Sequence, residues 1–385
     1  MFFKLTANKK RLRKQELNMT KFYYGYFKTY AVGLGLMALI SSCSKETAPT
    51  PSGVQPIATL GLYEKDSSVY KSVYIPISRV GTQSSATYYS IFDTGSSGMT
   101  IDAYGLIPAA MITSSGIQVA GDSVNVNGIT ITNKTAILFY GNSLNERNEY
   151  GNLAYAQITI GDRNGSITTR RIPFFLYYKV VNVATGIIQQ PHSNDIFGVG
   201  PGCSFASNAI ASPLSYFTTG NGVVSGFKLA KFSNAGFSLN GTYVRNLLTI
   251  GLVPDDLSSS SGFIMHPLTF YPYGGYSPDI AATVTYNNTT TLAAVLFDTG
   301  ASAVSIIEST NPPPNLKSLP PNTNVTINTV SGFSYSYTTA AADDLTQVDD
   351  PSNTGDPRTI FSIDFFTENQ YLINYDTHQL GLKKD

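Results

Sequence analysis

Two aspartates, Asp93 and Asp298, stand where this sequence could do chemistry. Each closes an apolar run and opens an Asp-Thr-Gly triplet followed by small residues: Ser90-Ile91-Phe92-Asp93-Thr94-Gly95-Ser96-Ser97 and Val295-Leu296-Phe297-Asp298-Thr299-Gly300-Ala301-Ser302. An apolar strand delivers the carboxyl to its end, and Thr and Gly then turn the chain, with Gly allowing backbone to come close to a partner and present an N–H. If the two carboxyls meet, two negative charges about 3 Å apart cannot both persist, so the pair holds one proton. One member is then a base and the other an acid. A water between them loses a proton to the first, while the second protonates or hydrogen-bonds the carbonyl oxygen of an amide. Neither a metal nor a cofactor is needed, and none is expected.

A lone Asp-Thr-Gly is an ordinary turn. The second copy carries the weight, because it repeats the apolar run and the small residues roughly two hundred residues later. That separation leaves room for a whole lobe and is too long for a tandem solenoid. The elements that must hold the triplets are strands. Val73-Tyr74-Ile75-Pro76-Ile77, Gln157-Ile158-Thr159-Ile160 and Tyr371-Leu372-Ile373-Asn374-Tyr375 alternate with period two, as half-buried strands do. With 25 Tyr, 21 Phe, 33 Gly and 20 Pro among 385 residues, many short strands joined by turns are predicted. Helical stretches are few, and the best, around Pro213 to Phe217, is short.

With these residues in view, the chain resembles the pepsin-type aspartic peptidases, by motifs spread over most of residues 70–382. Ser90 to Ser97 is similar to the family's first active-site signature, and Asp298-Thr299-Gly300-Ala301-Ser302 to the second. Asp195-Ile196-Phe197-Gly198-Val199-Gly200 resembles the apolar-apolar-Gly segment that packs behind the first signature. Ile360-Phe361-Ser362 stands where the second such segment would carry Gly, and Leu248-Thr249-Ile250-Gly251 resembles the passage into the second lobe. The resemblance implies an all-β, bilobal fold with the active cleft between two β lobes. It also implies Asp93 and Asp298 as the catalytic pair, with Thr94, Gly95, Ser96, Thr299 and Gly300 as the supporting loops. A monomeric endopeptidase acting on an extended peptide or protein chain is expected; the alternative is an inactive surface binding lipoprotein on the same fold. In the family a hairpin flap bearing a tyrosine closes the cleft. Tyr140 in Phe139-Tyr140-Gly141 is the candidate, with Tyr150 as the alternative because polar residues Asn142 to Glu149 extend the hairpin.

Three departures from the family bear on mechanism. The chain has no tryptophan, and Gly98-Met99-Thr100-Ile101 occupies the place where the family keeps one to hold the flap tyrosine. Ala301 replaces the hydroxyl residue of the second signature, whereas Ser96 keeps its counterpart; the lost donor raises the pair's apparent pKa, so an optimum less acidic than pepsin's is expected. Residues 43 to 70 leave no room for both a tether and a long prosegment, so activity without zymogen processing is expected.

The formal net charge of zero conceals an asymmetry. Lys4, Lys9, Lys10, Arg11, Arg13, Lys14, Lys21 and Lys28 precede Cys43, opposed by Glu16 alone, so the chain from Cys43 onward carries 17 basic and 24 acidic residues, a net of −7. An acidic chain offers no footprint for phosphate backbones, which argues against nucleic acid. Ala31 to Ile40 is an apolar run too short to span a bilayer, ending in Ile40-Ser41-Ser42-Cys43, and reads as a secretion signal. It is similar to a bacterial lipobox, which makes Cys43 the expected lipidation site and the envelope, on the outer membrane by the presence of Ser44, the expected location; Met19 also offers a start for a complete signal. The expected organisation is a lipoprotein signal over 1–42, a tether over 43–57, an N-terminal lobe over 58–247 with Asp93 and the flap, and a C-terminal lobe over 248–385 with Asp298. His192, His266 and His378 lie far apart, against a metal site. Cys203 reads as a packing thiol, no Gly-x-Ser-x-Gly is present, and Gly198 to Gly202 reads as a turn.

Overall fold

In the computed structural model the described residues are 53–385, except 68–69, 142–145, 205–208, 221, 303, 310–311, 313–317 and 341–344. Cys43, the lipobox-like segment and most of the expected tether lie outside them.

The strands predicted from period two are present as Lys71–Val80, Ile158–Asp162 and Asn369–Asn374. In Ile280–Tyr286 every second side chain is buried, so one face of the strand serves the core and the other solvent. The stretch expected to be helical is a 3₁₀ turn, Pro213–Tyr216, whose Ser212 cap accepts the Leu214 N–H; a segment this short has no room for more than one turn.

Two sheets dominate the described residues. The first is a long path in which Ile264–Pro267, Gln379–Lys384, Asn369–Asn374, Val224–Leu229, Thr242–Leu252, Ala58–Asp66 and Lys71–Val80 lie side by side. It continues through Tyr88–Asp93, Ile196–Val199, Ser97–Asp102, Ile172–Asn182, Arg147–Ala156 and Ile129–Tyr140. The second sheet has seven strands, centred on Ile280–Tyr286, Thr289–Phe297 and Arg358–Phe361. The expected lobe boundary at 247/248 falls inside the Thr242–Leu252 strand, and the final strand pair, 369–384, adds to the first sheet, not to the second.

The two sheets repeat one local device. Ile196–Val199 lies parallel to Tyr88–Asp93, with Gly198 opposite Asp93. Arg358–Phe361 lies parallel to Thr289–Phe297, with Phe361 opposite Phe297, so Ser362 follows in register with Asp298. The ring pairs behind each loop correspond as well: Phe92 with Phe197 at 6.3 Å and Phe297 with Phe361 at 5.8 Å, both stacked. All four rings are buried, which anchors each triplet on a rigid apolar base.

Candidate active site

The two triplets are joined through their threonines. Thr94 N–H donates to Thr299 Oγ1 at 3.0 Å and Thr299 N–H to Thr94 Oγ1 at 3.0 Å. The hydroxyls themselves donate across the junction, Thr94 to the Phe297 carbonyl at 2.8 Å and Thr299 to the Phe92 carbonyl at 2.6 Å. Both side chains are buried, at 0% and 1% exposure, so these four bonds are made out of water's reach, where leaving a partner unpaired is costly. The motif's threonines therefore fix the separation of the aspartates.

The glycines allow the carboxyls to approach. A Cβ on Gly95 would lie 2.5 Å from Asp298 Cγ, and one on Gly300 would lie 2.9 Å from Asp93 Cγ. Each glycine thus lies against the aspartate of the opposite triplet, where any side chain would collide. Across this gap the Asp298 carboxyl is hydrogen-bonded to that of Asp93.

The two carboxyls have unequal surroundings. Asp93 accepts three hydrogen bonds: Gly95 N–H at 2.7 Å and Ser96 N–H at 3.2 Å on Oδ1, and the Ser96 hydroxyl at 2.5 Å on Oδ2. Asp298 accepts the Gly300 N–H at 2.7 Å on Oδ1, and Ala301 has no hydroxyl to match Ser96. Donors aimed at a carboxylate favour its ionised form, so the charge belongs on Asp93 and the shared proton on Asp298. Burial, then the charge of Asp93 and the hydrogen bond to it, hold Asp298 well above the ordinary carboxylate range; the Gly300 amide and the Arg358 guanidinium oppose this less strongly. This is the environment of a carboxyl that keeps its proton.

The Ala301 and Ser362 departures are coupled. A Cβ on Gly198 would stand 2.8 Å from Ser96 Oγ, so in the first loop the serine hydroxyl leaves room only for glycine. In the second loop Ala301 leaves that space open. Ser362, at the position matching Gly198, donates its N–H to Ser305 Oγ at 3.1 Å and accepts the Ser305 hydroxyl at 3.4 Å.

The flap strands Ile129–Tyr140 and Arg147–Ala156 pair with Tyr140 opposite Arg147, Leu138 opposite Glu149 and Ile137 opposite Tyr150. Paired residues share a face of the sheet, so Tyr140, Leu138, Arg147 and Glu149 lie on one side and Ile137 and Tyr150 on the other. Burial, then the charges of Glu149 and Asp93, raise the Tyr140 hydroxyl well above the usual phenol range, and the contact with Thr100 opposes them. Tyr150 faces away, its ring 4.3 Å from Lys179 Nζ. Of the polar run Asn142 to Glu149, residues 142–145 lie outside those described, and from Arg147 onward the run is strand. Thr100, in the Gly98-to-Ile101 stretch, makes the contact to Tyr140.

Two residues of this region have partners that the sequence reading did not assign them. Glu149 is completely buried; its Oε1 accepts Asn194 Nδ2 at 2.6 Å and Thr100 Oγ1 at 3.4 Å. Burial, together with the charges of Asp195 and Asp102, pushes its pKa up to about 8 against those two hydrogen bonds. Period two in the strand, Arg147-Glu149-Gly151-Leu153, was the available signal for its inward face. His192, read as an isolated ring, meets Asp195 Oδ2 through Nδ1 at 2.7 Å and the Tyr104 carbonyl through Nε2 at 2.8 Å, while Asp195 Oδ1 accepts the Tyr177 hydroxyl at 2.6 Å. Both ring nitrogens face acceptors, so the ring is an imidazolium in this arrangement. Cys203 is half-buried and its thiol is raised by burial.

No family model matches this chain, and no curated protein matches it. Among solved structures it is similar to the crystal structure of an aspartic proteinase from Irpex lacteus, at 17% identity and a TM-score of 0.54, covering 85% of this chain and 97% of that one. At that identity the likeness shows the fold: a two-lobed, all-β, pepsin-like architecture.

Proposed function

We propose that this chain is an aspartic endopeptidase in which Asp93 is the base and Asp298 the acid. The observation that carries this is the hydrogen-bonded carboxyl pair with three donors on one member and a single backbone amide on the other. Asp93 takes a proton from a water lying between the carboxyls. The water oxygen bonds to the carbonyl carbon of the scissile amide as Asp298 gives its proton to the carbonyl oxygen, forming a neutral gem-diol. Return of a proton to Asp298 from that diol, with transfer of the proton on Asp93 to the amide nitrogen, breaks the C–N bond, leaving a carboxylic acid and an amine and restoring the starting state. Tyr140, on the inward face of the hairpin, covers the substrate, which binds as an extended strand. Tyr150, turned outward, does not take that role.

Asp93→Asn tests the reading on a casein-like substrate with and without a statine-type inhibitor. Loss of turnover in the variant, and inhibition of the parent chain, are expected. A parent chain that binds such peptides without cutting them, unaffected by Asp93→Asn, would favour the binding lipoprotein instead. The lipid on Cys43 and an outer-membrane location complete the proposal and rest on the lipobox-like sequence alone; mass spectrometry of the N-terminal peptide from envelope fractions decides them.

A further inference from the structure

Glu149 is a carboxyl with no exposure at all, and one of its oxygens, Oε2, has no hydrogen-bond partner. It does not touch the catalytic pair, yet it lies on the flap hairpin itself, on the same face as Tyr140. A chain of contacts connects the two. Asn194 Nδ2 donates to Glu149 Oε1, Thr100 Oγ1 donates to the same oxygen, and the Thr100 hydroxyl is also the partner of the Tyr140 hydroxyl. Thr100 thus stands between Glu149 and the Tyr140 hydroxyl.

The groups around Glu149 decide its charge. Asp102 and Asp195 present two carboxyls toward it, and Tyr177 and Tyr140 present phenols. The cation on the same face, Arg147, is one step removed, its guanidinium held by Asn194 Oδ1 at 2.8 Å. An ionised carboxylate enclosed without a cation partner is strongly disfavoured, and such a group takes up a proton.

We propose that Glu149, as a neutral acid, is the positioning residue that sets the flap over the cleft, holding Thr100 so that its hydroxyl fixes that of Tyr140, and that ionisation of Glu149 releases the hairpin. This rests on the peptidase reading for its consequence in turnover, but not for its consequence in the hairpin. Above the pH at which Glu149 ionises, a third negative charge faces Asp102 and Asp195 within a closed site, and the hairpin strand carrying it is driven outward.

Hydrogen exchange of the peptide spanning residues 134–152, followed by mass spectrometry between pH 6 and 9.5 and corrected for the intrinsic rise in rate, tests the hairpin directly. In the parent chain exchange is expected to accelerate at least about tenfold as pH passes 8, since each pH unit of ionisation gives a tenfold change in the equilibrium. Glu149→Gln, which keeps the shape and cannot ionise, is expected to stay protected throughout. Glu149→Leu and the near-isosteric Thr100→Val are expected to exchange fast at both ends of the range. In kinetics at the optimum pH, Glu149→Leu and Thr100→Val each lower kcat about tenfold or more, Glu149→Gln recovers most of the loss, and the double variant is no worse than either single one. Equal protection of the parent chain and Glu149→Gln at every pH, or unchanged hairpin exchange in Thr100→Val, overturns the proposal. A parent chain without turnover defeats the peptidase reading and leaves the exchange result to decide this one.

Discussion

Restoring a hydroxyl beside Asp298 should move the alkaline limb of the activity profile toward acid, and the structure states how the change must be made. Ala301→Ser alone restores the hydroxyl in a loop that has serine at 362, where the matching loop keeps glycine because a Cβ on Gly198 would stand 2.8 Å from Ser96 Oγ. The informative variant is therefore Ala301→Ser with Ser362→Gly, which copies the Ser96 and Gly198 arrangement. A hydrogen bond to a charged group is worth about 1.5–3 kcal/mol, and about 1.4 kcal/mol corresponds to one pKa unit. Asp298 is partly open to the cleft, so the lower end applies, about one unit. The new donor favours ionised Asp298, so its proton leaves at lower pH. Catalysis needs that proton, hence the loss of activity on the alkaline side begins about one unit earlier while the acidic limb stays where it was. The assay is kcat/KM across pH 2–9 for the parent chain, the single variant and the double variant. An alkaline limb unmoved or shifted upward in the double variant would refute the assignment of the proton to Asp298.

Two further predictions concern the scaffold. Thr299→Val leaves the buried Thr94 N–H and Phe92 carbonyl without the Thr299 hydroxyl, a cost of about 2–6 kcal/mol at about 1–3 per group; denaturant unfolding should show a lower midpoint at unchanged slope, and a loss under about 1 kcal/mol contradicts the role given to the junction. For His192, burial works against the charged ring, but the hydrogen bond and charge of Asp195, the Tyr104 carbonyl and Asp102 outweigh it and raise its pKa. A group whose folded pKa is raised contributes fully below its unfolded value, near 6.5, and loses that contribution as pH climbs through the folded value. His192→Asn, which suits the left-handed backbone at φ 57, should therefore lower Tm most at pH 5–6 and least above pH 8; a difference constant across that range disproves the linkage.

The catalytic candidates were legible because their signal is local: an apolar run, a charged turn and small residues, written twice. The supporting Thr94 and Thr299 came with the motif, although their mutual bonds could only be seen once the loops were placed side by side. The choice between Tyr140 and Tyr150 was not legible, since it depends on the register of a hairpin whose turn includes undescribed residues, and a slip of one position exchanges the faces. Glu149 closed a polar run that resembles a loop, and its burial arises from Thr100 and Asn194, which stand 49 and 45 residues away along the chain. Ser362 looked like a defect in the second segment until the register placed it level with Asp298, in a loop whose residue 301 carries no hydroxyl.

The placement of the last strand pair, 369–384, has a consequence for biogenesis. It lies against Val224–Leu229, which borders Thr242–Leu252, itself paired with Ala58–Asp66, so the floor shared by both halves stays unfinished until residues 369–384 are in place. Contacts closing over such long sequence distances form slowly. The two triplets thus gain a finished base only late in folding, once residues 226–229 have paired with residues 371–374.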